Sequence, residues 1–462
     1  MDGPVVPRDV DEYLDVLGQQ PSLRIFTQLS FCFPVADASS RSSIINTLTA
    51  GLKRLSTSFP WLAGQVINEG AGEGKTGTFK IKPLEDIPRL VIKDLRDDPL
   101  APTMDDLRQS NFPFSMLDES VIAPRKTLPS ETPVEVFLLQ ANFITGGLIL
   151  TFVAQHNTMD MTGQGQVIRL FSKACHGETF TSDELTSGNL PRSNLIPFLD
   201  ESYEPDPKLD DQIRRFPPSN SISNSDDNHP PPGPSSKCTW AYFTFDRDSL
   251  DALKSLATKT ITLPSGFIST DDALTAFIWQ SIMRARLPRL DPNVEAKLAR
   301  AVDVRRYLDV PQTYTGVLQN MTYHSYTLHK LIDEPLGSIA SQLRLAVDPQ
   351  TSDLRYRTCA LATLMNRLQD KSITSFTASL ELSVDIMLSS WSKVDCCDLD
   401  FNLGLGKPEV VRRPRLDPVE SLIYLMPKAQ NGEIAVGICL RDEDMERLRM
   451  DEEFAKYGKY VG

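Results

Sequence analysis

Histidine is scarce in this chain, five among 462 residues, so few groups could shuttle a proton near neutral pH. The seven cysteines (32, 175, 238, 359, 396, 397 and 439) are odd in number and never fall in C-x-x-C spacing. That argues against a disulfide framework and a cysteine zinc site, and it predicts reduced thiols in a cytoplasmic protein with no metal. No run approaches the roughly 18 apolar residues of a membrane span. The acidic N-terminus MDGPVVPRDVDEYLDVLG lacks the apolar centre of a signal peptide, and the terminal YVG is neither a prenylation nor a retention signal. Lys and Arg number 48 against 61 Asp and Glu, a net charge of −13 with no basic stripe, so nucleic acid is not an expected partner. A G-x-S-x-G elbow and an H-E-x-x-H pair are both missing, which removes the main support for an α/β-hydrolase and for the simplest metalloprotease.

What is present is a large hydrophobic fraction, 40%, and a length that suits two or three domains. Phe216–Lys237, FPPSNSISNSDDNHPPPGPSSK, has no apolar periodicity and reads as a linker. It separates residues 1–215 from 238–462, and neither half contains a repeat. Ile45–Leu55 is helical in pattern, while WLAGQVI and GTFKIKPL read as a hairpin. VEVFLLQANFI and GGLILTFVAQH are apolar strands meeting at Thr145-Gly146-Gly147, and Val167, Leu170, Phe171 and Ala174 make a helix face. STDDALTAFIWQSIMRARL carries an N-cap signal and an amphipathic helix. VESLIYLMPK and GEIAVGICL flank an Asn-Gly turn, and DEDMERLRMDEEFAKYG forms one charged helix near the C-terminus. Strands and helices on both sides of the linker predict a two-domain α/β protein.

Two glycine- or histidine-bearing stretches compete as sites. GAGEGKT (70–76) has three residues between Gly70 and Gly74 where a P-loop needs four, and a strand pattern follows instead of a helix, so a hairpin turn is expected. QHNTMDMTGQG (155–165) places His156 at the end of an apolar strand, four residues before Asp160. A histidine there could take a hydroxyl proton and return it to a leaving group, and Asp160 could orient the ring or tie down the turn. The spacing alone also fits a structural histidine. His176 sits at a helix end, His229 in the linker, and His324 and His329 beside an extended polar stretch, so His156 is the best candidate base.

A second cluster, SSWSKVDCCDLDFNLGLGKP (389–408), places Trp391 nine residues before Asp400. Together the two clusters resemble the BAHD acyltransferases, which carry H-x-x-x-D midway along the sequence and later D-F-G-W-G, preceded by a T/S-S-W segment. Within that family, GLKRLSTSFPWLAGQV, TGGLILTFVAQHNTMDMTGQ, FISTDDALTAFIW, LQNMTYH, LGLGKPEVVRRP and LRDEDM are similar to the fungal trichothecene 3-O-acetyltransferases. Asn402 stands at the family's first Gly, where its tolerance of positive φ would preserve the turn. Leu403 and Met161 depart from the general pattern and match the trichothecene branch.

The resemblance implies two chloramphenicol-acetyltransferase-like α/β domains with mixed β-sheets, flanking helices and an active-site channel between them. A segment near 385–410 is a candidate for packing with the N-terminal domain. Acetyl-CoA would be the co-substrate and a trichothecene C3 hydroxyl the acceptor, in a monomer that engages no membrane. The resemblance implies His156 as general base, with Asp160 turned away onto an arginine, Arg284 or Arg286. It pairs Asp400 with Arg305 of the Asp303-Val304-Arg305 segment. Ser389 would either hydrogen-bond the tetrahedral intermediate or be a plain strand hydroxyl, and Trp391 would pack beside it. Lys407 and Arg412–Arg413 are candidates for the coenzyme A phosphates. Another alcohol or amine acceptor, or a non-catalytic homologue, stays open. A condensation domain is disfavoured because Gln155 stands where a second histidine would be.

Overall fold

The computed structural model describes residues 11–36, 40–129, 132–214, 237–263 and 266–462. The linker reading, save Lys237, and His229 with it, therefore lie outside the described residues.

One sheet has five strands, in the spatial order Val410–Arg412, Phe26–Pro34, Gly147–Gln155, Phe137–Ile144 and Arg89–Asp94. We call Phe26–Pro34 β1, Gly147–Gln155 β2, Ile386–Ser390 β3 and Val410–Arg412 β4. All nine residues of β2 are buried, which explains its nearly unbroken apolar run, because a strand covered on both faces has no need to alternate. The helices α1 (Arg41–Ser58) and α2 (Met161–Cys175) lie together, and Leu48, Leu52, Leu55, Val167 and Phe171 join the core with Phe31 and Phe152 of the sheet. The hairpin at Thr145–Gly147 forms as the pattern predicts, with Gly146 at φ 74°.

The second sheet has seven strands, in the order Gln319–Thr327, Glu295–Asp303, β3, Leu422–Leu425, Ile434–Arg441, Cys238–Phe245 and Lys459–Tyr460. Against it runs α3 (Thr270–Arg286), opened by a reciprocal capping box between Ser269 and Asp272. A small third sheet joins Glu12–Tyr13, Thr78–Lys82 and Gln65–Glu69. The 70–76 stretch is the turn of the latter two strands, closed by mutual Gly72 and Lys75 backbone bonds.

Sequence order and spatial order part company at β4. It comes late in the sequence yet pairs antiparallel with β1, Val410 opposite Cys32 and Arg412 opposite Ser30. The core around β1 and β2 also takes Trp240, Trp391, Phe401 and Met426 from the second half of the protein.

The terminal helix differs from its expectation. It is two helices, Asp442–Met450 and Glu452–Ala455, separated by Asp451 with ψ 108°. The Asp451 carboxylate accepts the Phe454 N–H, so a local cap competes with helix continuation and wins. No helix among the described residues is long and apolar enough to cross a membrane.

Candidate active site

β2 ends at Gln155, and the next residue turns out of the sheet. The His156 N–H donates to the Ile25 carbonyl at 2.8 Å, while Thr158 closes the turn onto the Gln155 carbonyl through both its N–H and its hydroxyl. Arg192 fastens the same turn from the side, donating to the Thr158 carbonyl at 2.6 Å and to Asp15 at 3.2 Å. His156 itself keeps partial exposure, and its Nδ1 is buried without a hydrogen-bond partner. Burial lowers the basicity of the ring. The carbonyls of His156 and Met159 and the charge of Asp160 oppose that, and the Arg413 cation adds to it; the net direction is down. Although those carbonyls act on the ring, neither completes a hydrogen bond to Nδ1.

Asp160 caps α2, accepting the Gly163 N–H at 2.8 Å. Its two oxygens also receive Nη1 and Nη2 of Arg305, each at 2.9 Å, and the Leu318 N–H at 2.8 Å. Arg305 is fully buried, and although burial disfavours its charge, Asp160 and Asp303 outweigh that and hold it firmly protonated. This corrects the expected pairing. Arg305 belongs to Asp160, not to Asp400, while Arg284 bonds Asp451 at 2.9 Å and Arg286 approaches Asp444 at 3.4 Å. Asp400 instead lies at the surface, its side chain 42% exposed, accepting the Asn402 N–H at 2.7 Å with His176 Nε2 at 3.9 Å.

Two glycines of the H-x-x-x-D stretch have steric reasons. A Cβ on Gly163 would lie 2.2 Å from the Thr315 carbonyl oxygen, and one on Gly165 would lie 2.6 Å from Val394. They let α2 press against the 314–316 loop on one side and the segment after β3 on the other.

That segment carries Ser389 and Trp391. The Trp391 indole N–H donates to Ser389 Oγ at 3.0 Å, so the serine keeps its own hydroxyl hydrogen to give. Trp391 packs on Tyr424, ring centres 4.6 Å apart, and both face the guanidinium of Arg413. Downstream, Phe401 is buried among Phe31, Phe152 and Phe171, while Asn402, Gly404 and Gly406 all hold positive φ. Asn402, at φ 55°, occupies the conformation its position requires.

A cavity of about 380 Å³ opens beside these elements, lined by Thr162, Gly165, Gln166 and Arg169 of α2 and by Ser390, Lys393 and Asp395 at the end of β3. Its other walls bring Arg300, Arg306 and Arg344, with Asp271 and Asp303. Arg300 and Arg344 are already committed to Asp271 and Asp272. Arg306 binds the Val347 carbonyl, and Lys393 is exposed. Lys407, the expected phosphate contact, lies outside this lining and pairs with Asp398 at 2.7 Å on the surface. Arg412 and Arg413 are likewise outside the lining and buried. Sequence reasoning missed the Arg300 cluster and Arg169. The one local signal was the pair of acids, Asp271 and Asp272, in the first turn of α3, where they also read as an ordinary helix start.

Among the described residues, no group of histidine, cysteine and carboxylate side chains is arranged to hold a metal. All seven cysteines are free.

Comparison with known proteins gives this geometry a family. Residues 25–175 match the trichothecene 3-O-acetyltransferase-like N-terminal domain, and residues 104–455 match the transferase family. An O-acetyltransferase, dmxR13, of Cryptosporiopsis is 57% identical, with both chains fully covered. Trichothecene 3-O-acetyltransferase TRI101 of Fusarium sporotrichioides is 53% identical over 98% of this chain and 97% of its own. Among solved structures, F. graminearum TRI101 complexed with coenzyme A and deoxynivalenol superposes with a TM-score of 0.92 at 49% identity, covering 98% of this chain and all of that one. Vinorine synthase, at 16% identity and a TM-score of 0.63 over 99% of this chain and 96% of its own, shares the fold. The chain belongs to the transferase family of BAHD acyltransferases.

Proposed function

We propose that this protein is an acetyl-CoA-dependent O-acetyltransferase acting on the C3 hydroxyl of trichothecenes, with His156 as general base. The observation that carries the reading is a partly exposed histidine, at the end of a buried strand, whose basicity is held down. Such a ring stays unprotonated at neutral pH and is free to accept a proton, because Asp160 is spent on Arg305 and the α2 cap. The complexes of TRI101 with coenzyme A, T-2 and deoxynivalenol support the two substrate classes.

The acceptor hydroxyl gives its proton to His156 Nε2 as its oxygen attacks the thioester carbonyl. The tetrahedral oxyanion collapses by breaking the carbon–sulfur bond, and the thiolate takes the proton back from His156. Ser389 is a suitable oxyanion donor, since Trp391 already supplies the bond its oxygen accepts. The cavity along α2 suits a polyanion: Arg169, Arg306 and Lys393 could reach the coenzyme's phosphates, and its lining includes Thr162 in the first turn of α2, the helix that Asp160 caps. The two halves act as two domains around the transfer channel, in a cytoplasmic monomer.

A second acceptor calls for equal testing, because the relative at 57% identity is named as an O-acetyltransferase with no trichothecene in its name. The test is thiol release from acetyl-CoA with a 3-hydroxytrichothecene and with a panel of other alcohols, reading product mass alongside. Trichothecene acetylation lost by ~100-fold or more in His156→Ala supports the proposal. Turnover confined to another alcohol moves the acceptor and keeps the chemistry. His156→Ala within a few-fold of the wild type rejects the base.

A further inference from the structure

Arg413 follows β4 directly and is 1% exposed. Among the described residues no carboxylate lies within ion-pair distance of it, whereas its neighbour Arg412 has Glu433 at 3.9 Å. Its Nε and Nη1 are buried without partners, and Nη2 reaches only the Thr127 hydroxyl at 3.2 Å. The guanidinium carbon lies 4.9 Å from the centre of the Tyr424 ring and 5.6 Å from that of Trp391. Its backbone is clamped as well, its N–H donating to the Tyr242 hydroxyl at 2.9 Å and its carbonyl accepting from it at 3.0 Å. A buried, unpaired guanidinium with two unmet donors opposes folding, and two aromatic faces offset that in part. Such a group calls for an explanation beyond packing.

Thr127 holds the start of β1 from the edge opposite His156: its carbonyl accepts the Phe26 N–H at 2.7 Å, and the Ile25 carbonyl of the same peptide accepts the His156 N–H at 2.8 Å. On the other side, Arg413 covers the ring of Trp391, whose indole N–H fixes Ser389. Taking His156 as the base, we propose that Arg413 is a positioning residue of the acyl transfer, a fixed cation that locks the Trp391–Ser389 hydrogen bond and whose charge reaches the base. The charged groups acting on His156 are then Asp160, from the α2 cap and balanced by Arg305, and Arg413, from the end of β4. Asp160 favours the imidazolium and Arg413 disfavours it. Removing the arginine takes away a cation that disfavours the imidazolium, so the imidazole protonates at higher pH.

The experiment is the pH dependence of kcat/KM between pH 5 and 9, by thiol release, for wild type, Arg413→Met, Arg413→Lys and His156→Ala, with thermal unfolding of each. Arg413→Met should move the acidic limb to higher pH, making its loss at least about threefold larger at pH 5.5 than at pH 8.5. Arg413→Lys should return the limb to the wild-type position while kcat stays depressed, because an ammonium restores the charge but not the planar face over Trp391. Arg413→Gln repeats the charge removal if the Met variant fails to fold. A folded Met or Gln variant with the wild-type profile, or a loss uniform across pH that Lys does not relieve, overturns the proposal. An active His156→Ala would instead overturn the reading on which it rests.

Discussion

Asp160 receives four donors on two oxygens, the N–H groups of Gly163 and Leu318 and both Nη atoms of Arg305. Little acceptor capacity is left for an imidazole, so its contribution is to shape the loop that presents His156. Asp160→Ala strands Arg305 in the interior and uncaps α2, and should cost about 3–5 kcal/mol, read as a lower urea midpoint. Asp400→Ala removes one exposed acceptor and should cost less than about 1 kcal/mol, with activity retained. The reverse ranking would overturn the pairing. Spacing and resemblance single out His156, Asp160, Asp400, Ser389 and Trp391 as candidates. Their ion-pair partners were not legible. Arg305 lies 145 residues from Asp160, and Arg284, Arg286 and Arg305 offer the same chemistry in sequence. Only the fold decides which guanidinium faces which carboxylate. Arg413 was legible as a cation, but its burial over two aromatic rings was not.

At the scale of elements, the D-F-x-x-G segment is an aromatic anchor followed by a left-handed turn. Phe401 lies 5.6, 5.4 and 5.9 Å, centre to centre, from Phe31, Phe152 and Phe171, so it joins the second half of the protein to the sheet that carries His156. Phe401→Ala should cost about 3–5 kcal/mol by cavity formation, with unfolding the measurement. Asn402→Gly should change stability by less than about 1 kcal/mol, whereas Asn402→Val should cost more than about 1 kcal/mol, since a β-branched residue resists φ 55°. A Val variant as stable as the Gly variant would show that the turn relaxes. Helices announced by caps, such as α3 behind Ser269 and Asp272, were readable because the signal is local. The break at Asp451 was missed although its cap is local too, because that cap is hidden inside a continuous run of charged, helix-compatible residues.

The whole molecule is held together by exchange between its halves. β4 supplies an edge strand to β1, and residues from both halves fill the core beneath β2; the three residues of β4 carry no signal of this, and the expectation for the 385–410 segment comes from the resemblance alone. Charge is also uneven at this scale. The protein carries −13, yet the lining of the cavity beside α2 sets Arg169, Arg300, Arg306, Arg344 and Lys393 against Asp271, Asp303 and Asp395, an excess of cations. Lys393→Ala should raise KM for acetyl-CoA several-fold, less so at high salt, and leave the acceptor KM unchanged; Lys407→Ala should change neither. Acid response is the third molecular property. His324, on the strand Gln319–Thr327, has a buried Nε2 without a partner, and burial, with Arg300 and Arg357 nearby, pushes its pKa down to about 3. An unfolded histidine titrates near 6.5, so below that pH the unfolded state binds a proton that the folded one refuses. The stability contributed by the neutral ring is complete above about pH 6.5 and is lost progressively as pH falls toward 3. His156 acts in the same direction. His324→Gln removes one of these two titrations and leaves every carboxylate in place. Its urea midpoint should therefore fall less than the wild type's between pH 7 and pH 4.5, even if it starts lower, and parallel declines would mean that His324 is protonated in the folded protein.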